Sequence, residues 1–211
     1  MSAPGRSTVA PRPSASPTRD RLLYAARGLI EEGGYAAASV AAITGRAGLA
    51  AGTLYRHFRS KEDLFVEVFR TVCDREVEAM VQAAQAGQGS HSERLETVLS
   101  TFAVRALRRP RLAWALLAEP VDPLVDAERL AYRSRYAELI AGLLSAAVAA
   151  EELPEQDEAL TAAALVGACG EALVGPLSAL QRPGPSTGLR IQALRTFVRR
   201  AVGAVDCAAG A

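Results

Sequence analysis

The stretch SVAAITGRAGLAAGTLYRHFRSKEDL, residues 39–64, decides the fold. Ser39 stands before Val40, Ala42, Ile43 and Ala47, a short run with apolar residues at helical spacing that stops at Gly48. A further short segment, Ala50 to Phe58, follows almost at once. The two have helix-turn-helix dimensions, because Gly48 permits the left-handed backbone that lets the second helix leave steeply from the first. Leu54 and Phe58 lie four apart and can dock into a bundle, which leaves Thr53, Tyr55, Arg56 and His57 as a polar face for a major groove. Ser60-Lys61-Glu62-Asp63 then has the spacing of a capping box and opens a longer helix with Leu64, Phe65, Val68 and Val72 on one face.

The flanking sequence extends this helical pattern in both directions. Upstream, residues 1–17 hold Pro11, Pro13 and Pro17 among Ser, Ala and Arg with no apolar core, so they read as a disordered arm rather than a secretory signal. Thr18 is the expected cap of a first helix, with Asp20 in its first turn, Leu22, Ala26, Leu29 and Ile30 at helical spacing, and Gly33 and Gly34 at its end. Downstream of a linker at Gly87 to His91, Leu95, Leu99, Phe102 and Ala106 mark a helix that ends before Pro110, and Leu112 to Leu117 a short one. A long helix is expected from Ala127 to Glu152 with Tyr132, Tyr136, Leu139 and Leu143 on one face. Pro154 restarts the chain into a helix reaching Leu180, QRPGPSTG at 181–188 is a loop, and Leu189 to Val202 is the last helix.

Composition agrees: 43 Ala and 25 Leu among 211 residues, with 5% aromatic, favour helices over strands. The expected fold is all-α, with about nine helices: an N-terminal three-helix bundle over 18–64 and a helical remainder over 65–211.

Several functions are disfavoured. Cys73, Cys169 and Cys207 form no metal or disulfide pattern, and a reducing cytoplasm suits them. His57 and His91 are the only histidines, no catalytic or phosphate-loop motif occurs, and neither a cofactor nor catalysis is expected. The apolar stretch Ala159 to Leu180 is rich in Ala and Gly, carries Glu171 and is broken by Pro176, so it reads as a buried helix and not a membrane span.

Residues 39–64 closely resemble the DNA-binding signature of the TetR family of bacterial transcriptional regulators, from Ile43 and Ala47-Gly48 through Thr53-Leu54-Tyr55 and His57-Phe58 to Ser60-Lys61-Glu62. The resemblance implies a homodimer on a palindromic operator in double-stranded DNA, a ligand-binding and dimerisation domain after the helix-turn-helix, and release by a small, largely apolar effector. It implies that Tyr55, His57 and Lys61 contact phosphates. It also implies that the last two long helices, here Glu155 to Leu180 and Leu189 to Val202, pair between subunits.

From the residues themselves, Thr53 and Arg56, with Ser39 and Arg46, are candidates for bases or further phosphates. Gly52 removes a side chain where DNA would approach. Three positions depart from the family pattern: Ala50 cannot cap the recognition helix, Thr44 replaces an alanine, and Ala41 stands where some relatives place an arginine that reads a base. Phe102, Trp114, Tyr132 and Tyr136 are candidate effector-pocket walls, with Cys169 and Glu171 as polar contacts, although aromatics at helical spacing also describe ordinary core. A buried carboxylate needs a partner, so Glu171 fits an interface pair with an arginine better than ligand recognition. The basic run Arg105, Arg108, Arg109 and Arg111 reads as the solvated end of a helix.

The formal net charge of +1 hides an asymmetry. Residues 1–61 carry nine basic and three acidic side chains, +6, and residues 62–211 carry 15 and 20, −5. Positive charge therefore sits at the end expected to meet phosphate. Two other classes remain open on sequence: a helical small-molecule-binding or interaction protein that has lost operator binding, and an all-α enzyme using Glu171 or Tyr136.

Overall fold

The computed structural model describes residues 16–87, 89–178 and 184–204; the expected disordered arm and Cys207 lie largely or wholly outside them. Among the described residues there are nine α-helices and no strand. The first four are α1 (Pro17–Gly33), α2 (Val40–Arg46), α3 (Thr53–His57) and α4 (Lys61–Ala86). The rest are α5 (His91–Arg108), α6 (Pro110–Leu117), α7 (Pro123–Ala149), α8 (Glu158–Leu177) and α9 (Thr187–Ala201).

Helix ends account for most departures from expectation. Thr18 does not cap α1: Pro17, whose fixed φ and missing N–H suit the first helical position, starts the helix after Ser16. The expected box at Ser60 is half made. Ser60 Oγ accepts from Asp63 N at 3.1 Å, but the Asp63 carboxylate turns instead to Arg59 Nε at 2.8 Å. A complete box occurs at Ser90 and Glu93, at the start of α5. Helix α7 begins at Pro123 rather than Ala127, because Asp122 accepts from Leu124 N at 2.9 Å. Its buried stripe is Val125, Tyr132, Ile140, Leu144 and Ala147, so Leu139 and Leu143 are displaced to half-buried flanks. Helix α8 starts at Glu158 under an Asp157 cap and stops at Leu177, one residue past Pro176.

The core has three parts. Leu22, Ile30, Ile43, Leu54 and Leu64 pack with the first half of α4, with α6 and with Val125 and Tyr132 of α7. Apolar packing therefore runs unbroken from the helix-turn-helix into the C-terminal helices. A second cluster joins Leu95 and Leu99 of α5 to Ile140, Leu144, Leu165, Cys169 and Val198. The third is small, around Ala103, Ala113, Leu173 and Leu177. Helix α9 is also clamped by charge: Glu96, 4% exposed, accepts from Arg199 Nε at 2.8 Å and Arg195 Nε at 3.3 Å. A carboxylate so buried is tolerable because two guanidinium groups neutralise it and satisfy its lone pairs.

Candidate nucleic-acid interface and internal cavity

Helix α2 starts where Ser39 Oγ accepts from Ala42 N at 3.1 Å, so this candidate contact also serves as a cap. The helix ends in a Schellman turn: Gly48 has φ 64°, Leu49 N donates to Thr44 O at 2.9 Å and Gly48 N to Gly45 O at 3.0 Å. Arg21 donates a further hydrogen bond to Ala47 O, which ties α1 to this turn. Thr44, in the place of an alanine, is buried, and its hydroxyl is satisfied by Val40 O at 2.9 Å.

Helix α3 is a short rod fixed by two residues. Leu54 and Phe58 are buried, and Tyr55, Arg56 and His57 project from the opposite side, with Tyr55 58% exposed. Thr53 is half-buried at its start. A Cβ on Gly52 would meet nothing within 4 Å, so packing does not require glycine there. Lys61 lies over the Phe65 ring at 5.4 Å. Arg46 is set apart from Arg56 by its partner: it grips Glu32 through two hydrogen bonds, 2.8 and 2.6 Å, and holds that carboxyl below its ordinary pKa.

The second feature lies where the three core clusters meet, a cavity of about 100 Å³. Phe69, Leu99, Phe102, Tyr132, Tyr136 and Cys169 contribute to its wall, and arginines gather at its rim. The two tyrosine hydroxyls of the wall are occupied. Tyr132 Oη donates to Asp74 at 2.7 Å, and Cys73 and Tyr136 share a hydrogen bond. Burial pushes the Cys73 thiol up to about 12 and Cys169 to about 11, so both are neutral and unreactive near pH 7. Trp114 packs beside the third cluster and does not line the cavity. Glu171 is exposed on the outer side of α8 and does not reach it either. The apolar run thus has an open face that carries the carboxylate in solvent.

Two residues with no distinctive sequence pattern link the features. Arg129, on the cavity wall, donates to the last carbonyls of α6, at Leu116 O (2.8 Å) and Ala115 O (3.3 Å), and to Glu119 O (3.0 Å). The Glu119 carboxylate accepts from Tyr35 N at 3.2 and 3.3 Å, between α1 and α2. Gly34, with φ 76°, leaves room for it, since a Cβ there would meet Glu119 Oε1 at 2.6 Å.

Residues 22–68 match the family model described as bacterial regulatory proteins, tetR family. The HTH-type transcriptional regulator UidR of Escherichia coli K12 is 50% identical over 50 residues, 24% of this chain. The matched part spans 26% of UidR. The HTH-type transcriptional repressor KstR2 of Rhodococcus jostii is 33% identical over 134 residues, 62% of this chain and 65% of that protein. Among solved structures, the regulator FadR from Bacillus subtilis in complex with stearoyl-CoA has the same fold, with a TM-score of 0.70 at 21% identity over 88% of this chain and 98% of that one.

Proposed function

We propose that this chain, whose residues 22–68 match the tetR family model, is a cytoplasmic, homodimeric repressor of that family that leaves a palindromic operator when a small, largely apolar effector enters the cavity. One observation carries this reading. Helix α4 begins at Lys61 under its Ser60 cap, with three residues between it and the end of the recognition helix, and its Phe69, Val72, Cys73 and Glu76 form part of the cavity wall. A single helix of 26 residues, about 39 Å long, therefore touches both sites. A ligand that tilts it moves α3, and effector and DNA then oppose each other through a coupling free energy.

In this account Tyr55, His57 and Lys61 hold phosphates and fix register, while Thr53 and Arg56 reach base edges. Ser39 adds its hydroxyl hydrogen to the backbone of the operator. Arg46 adds positive field. Gly52 lets the sugar-phosphate chain come close.

The dimer surface is the outer side of α8 and α9. Helix α8 is long and apolar enough to cross a membrane by length and composition. Ala162, Leu165, Cys169, Leu173 and Leu177 face the core, and Leu160, Ala163, Ala164 and Gly167 are exposed. Leu189 and Phe197 of α9 are also exposed, at 59% and 45%. Small residues permit close helix approach, so pairing two copies of this surface into a four-helix bundle covers it without a membrane. The molecule works by binding and not by catalysis.

Selecting palindromes from random DNA and measuring gel shifts against salt tests the proposal. Specific binding that weakens steeply with salt supports it; sequence-indifferent binding, or none, removes it.

A further inference from the structure

We propose that the cavity is built for an amphipathic organic anion, its apolar body inside and its carboxylate or phosphate group held at the rim by Arg109 and Arg133. This rests on the reading of the cavity as the effector site.

The basic run at the end of α5, which looks like a solvated helix end in sequence, is divided among different tasks in the fold. Arg111 leaves the run to donate to Gly33 O at 3.0 Å. Arg105 is held by Glu76 at 2.5 and 2.9 Å on the cavity wall. Arg109 stays at the rim, 53% exposed, and comes no closer than 3.6 Å to Glu31. Helix α7 brings Arg129 and Arg133 to the same cavity. Arg129 is occupied by α6 carbonyls and by Asp126. Arg133 is exposed and has no carboxylate partner among the described residues.

The rim therefore holds more guanidinium groups than its carboxylates satisfy. Charge behind Arg109 strengthens the excess. Arg27 lies close enough that burial first, and then Arg109, push its pKa below the ordinary value, although Glu31 offsets part of the effect. The Arg27 Nε is buried without a hydrogen-bond partner among the described residues.

The interior is the opposite. Its two tyrosine hydroxyls are paired with Asp74 and Cys73, and Cys169 is buried in an apolar cluster, so a polar group placed deep in the cavity would lose water and find little to replace it. At the rim the same group meets planar, charged donors that bind carboxylate and phosphate in charge-assisted pairs. A neutral amphiphile leaves those donors hydrated and gains nothing from them.

Calorimetry and Trp114 fluorescence with octanoate, octyl phosphate and 1-octanol test this near neutral pH. Both anions are expected to bind about tenfold tighter than the alcohol, with the advantage shrinking as salt is added. The ranking of the two anions separates carboxylate from phosphate recognition. In Arg109→Gln/Arg133→Gln, the preference should fall to about twofold or less while the alcohol's affinity is unchanged. Equal binding of alcohol and anions, unaltered by the double substitution but abolished by the cavity-filling Ala106→Leu, overturns the anion inference and keeps the cavity as an effector site. Binding of none of the three overturns both.

Discussion

Arg46 and Arg56 carry the same charge, are both exposed and lie on the two helices of the helix-turn-helix, yet only Arg46 has a carboxylate across two hydrogen bonds. Arg56→Ala is therefore expected to weaken operator binding by about 1–3 kcal/mol in anisotropy titrations. Arg46→Ala should cost less than about 1 kcal/mol, because its charge is already largely spent on Glu32. The pairing that separates these two side chains is not visible in the sequence, since Glu32 is 14 residues from Arg46 and belongs to another helix. Cys73 gives a pH-dependent prediction. Its thiol ionises near 9 when unfolded and is pushed up to about 12 by burial when folded. Between these values the unfolded state holds fewer protons than the native one, so the stability that burial of the neutral thiol supplies is lost as pH rises. Chemical denaturation across that range should show a shallower fall in stability for Cys73→Ala than for the parent chain.

At the scale of elements, the helix-turn-helix was legible because every determinant is local: the Ser39 cap, the Gly48 turn and the four-residue spacing of Leu54 and Phe58 lie within 20 residues. Helix α7 was less so. It packs against α4, α5 and α8 together while Leu124 and Leu130 stand exposed, which blurs its apolar periodicity, and its buried stripe runs through Ile140 and Leu144 rather than Leu139 and Leu143. The cavity could be read only in fragments. Phe102, Tyr132, Tyr136 and Cys169 are recognisable as large or polar members of apolar faces, but Arg129, Arg105 and Glu76 reach the cavity through tertiary packing alone. The Glu119 contact has no sequence signal at all, yet it joins the end of α6 to the start of the helix-turn-helix. Glu119→Ala should leave effector affinity in the cavity intact and reduce the effector's influence on DNA by about 1 kcal/mol of coupling energy. Parallel titrations with and without operator measure both quantities. An unchanged coupling would place the route in α4 alone.

For the whole molecule, the division into a +6 head and a −5 body means that DNA is attracted to one end and repelled from the other. In the proposed dimer, the exposed apolar side of α8 and α9 would supply the surface that two heads on one operator need. Phe197→Glu should turn the dimer into monomers by light scattering, because it sets two carboxylates into an apolar seam. The same change should lower operator affinity by at least about 100-fold, as each half-site then binds alone. Among all these measurements, the most direct is an anisotropy titration of a selected palindrome at several salt concentrations, with the parent chain and with Tyr55→Ala/His57→Ala. For the parent, tight binding is predicted, its logarithm falling linearly with log salt; for the double variant, a loss of at least about tenfold with a shallower slope. Equal affinity and equal slope for the two proteins would contradict operator binding through α3.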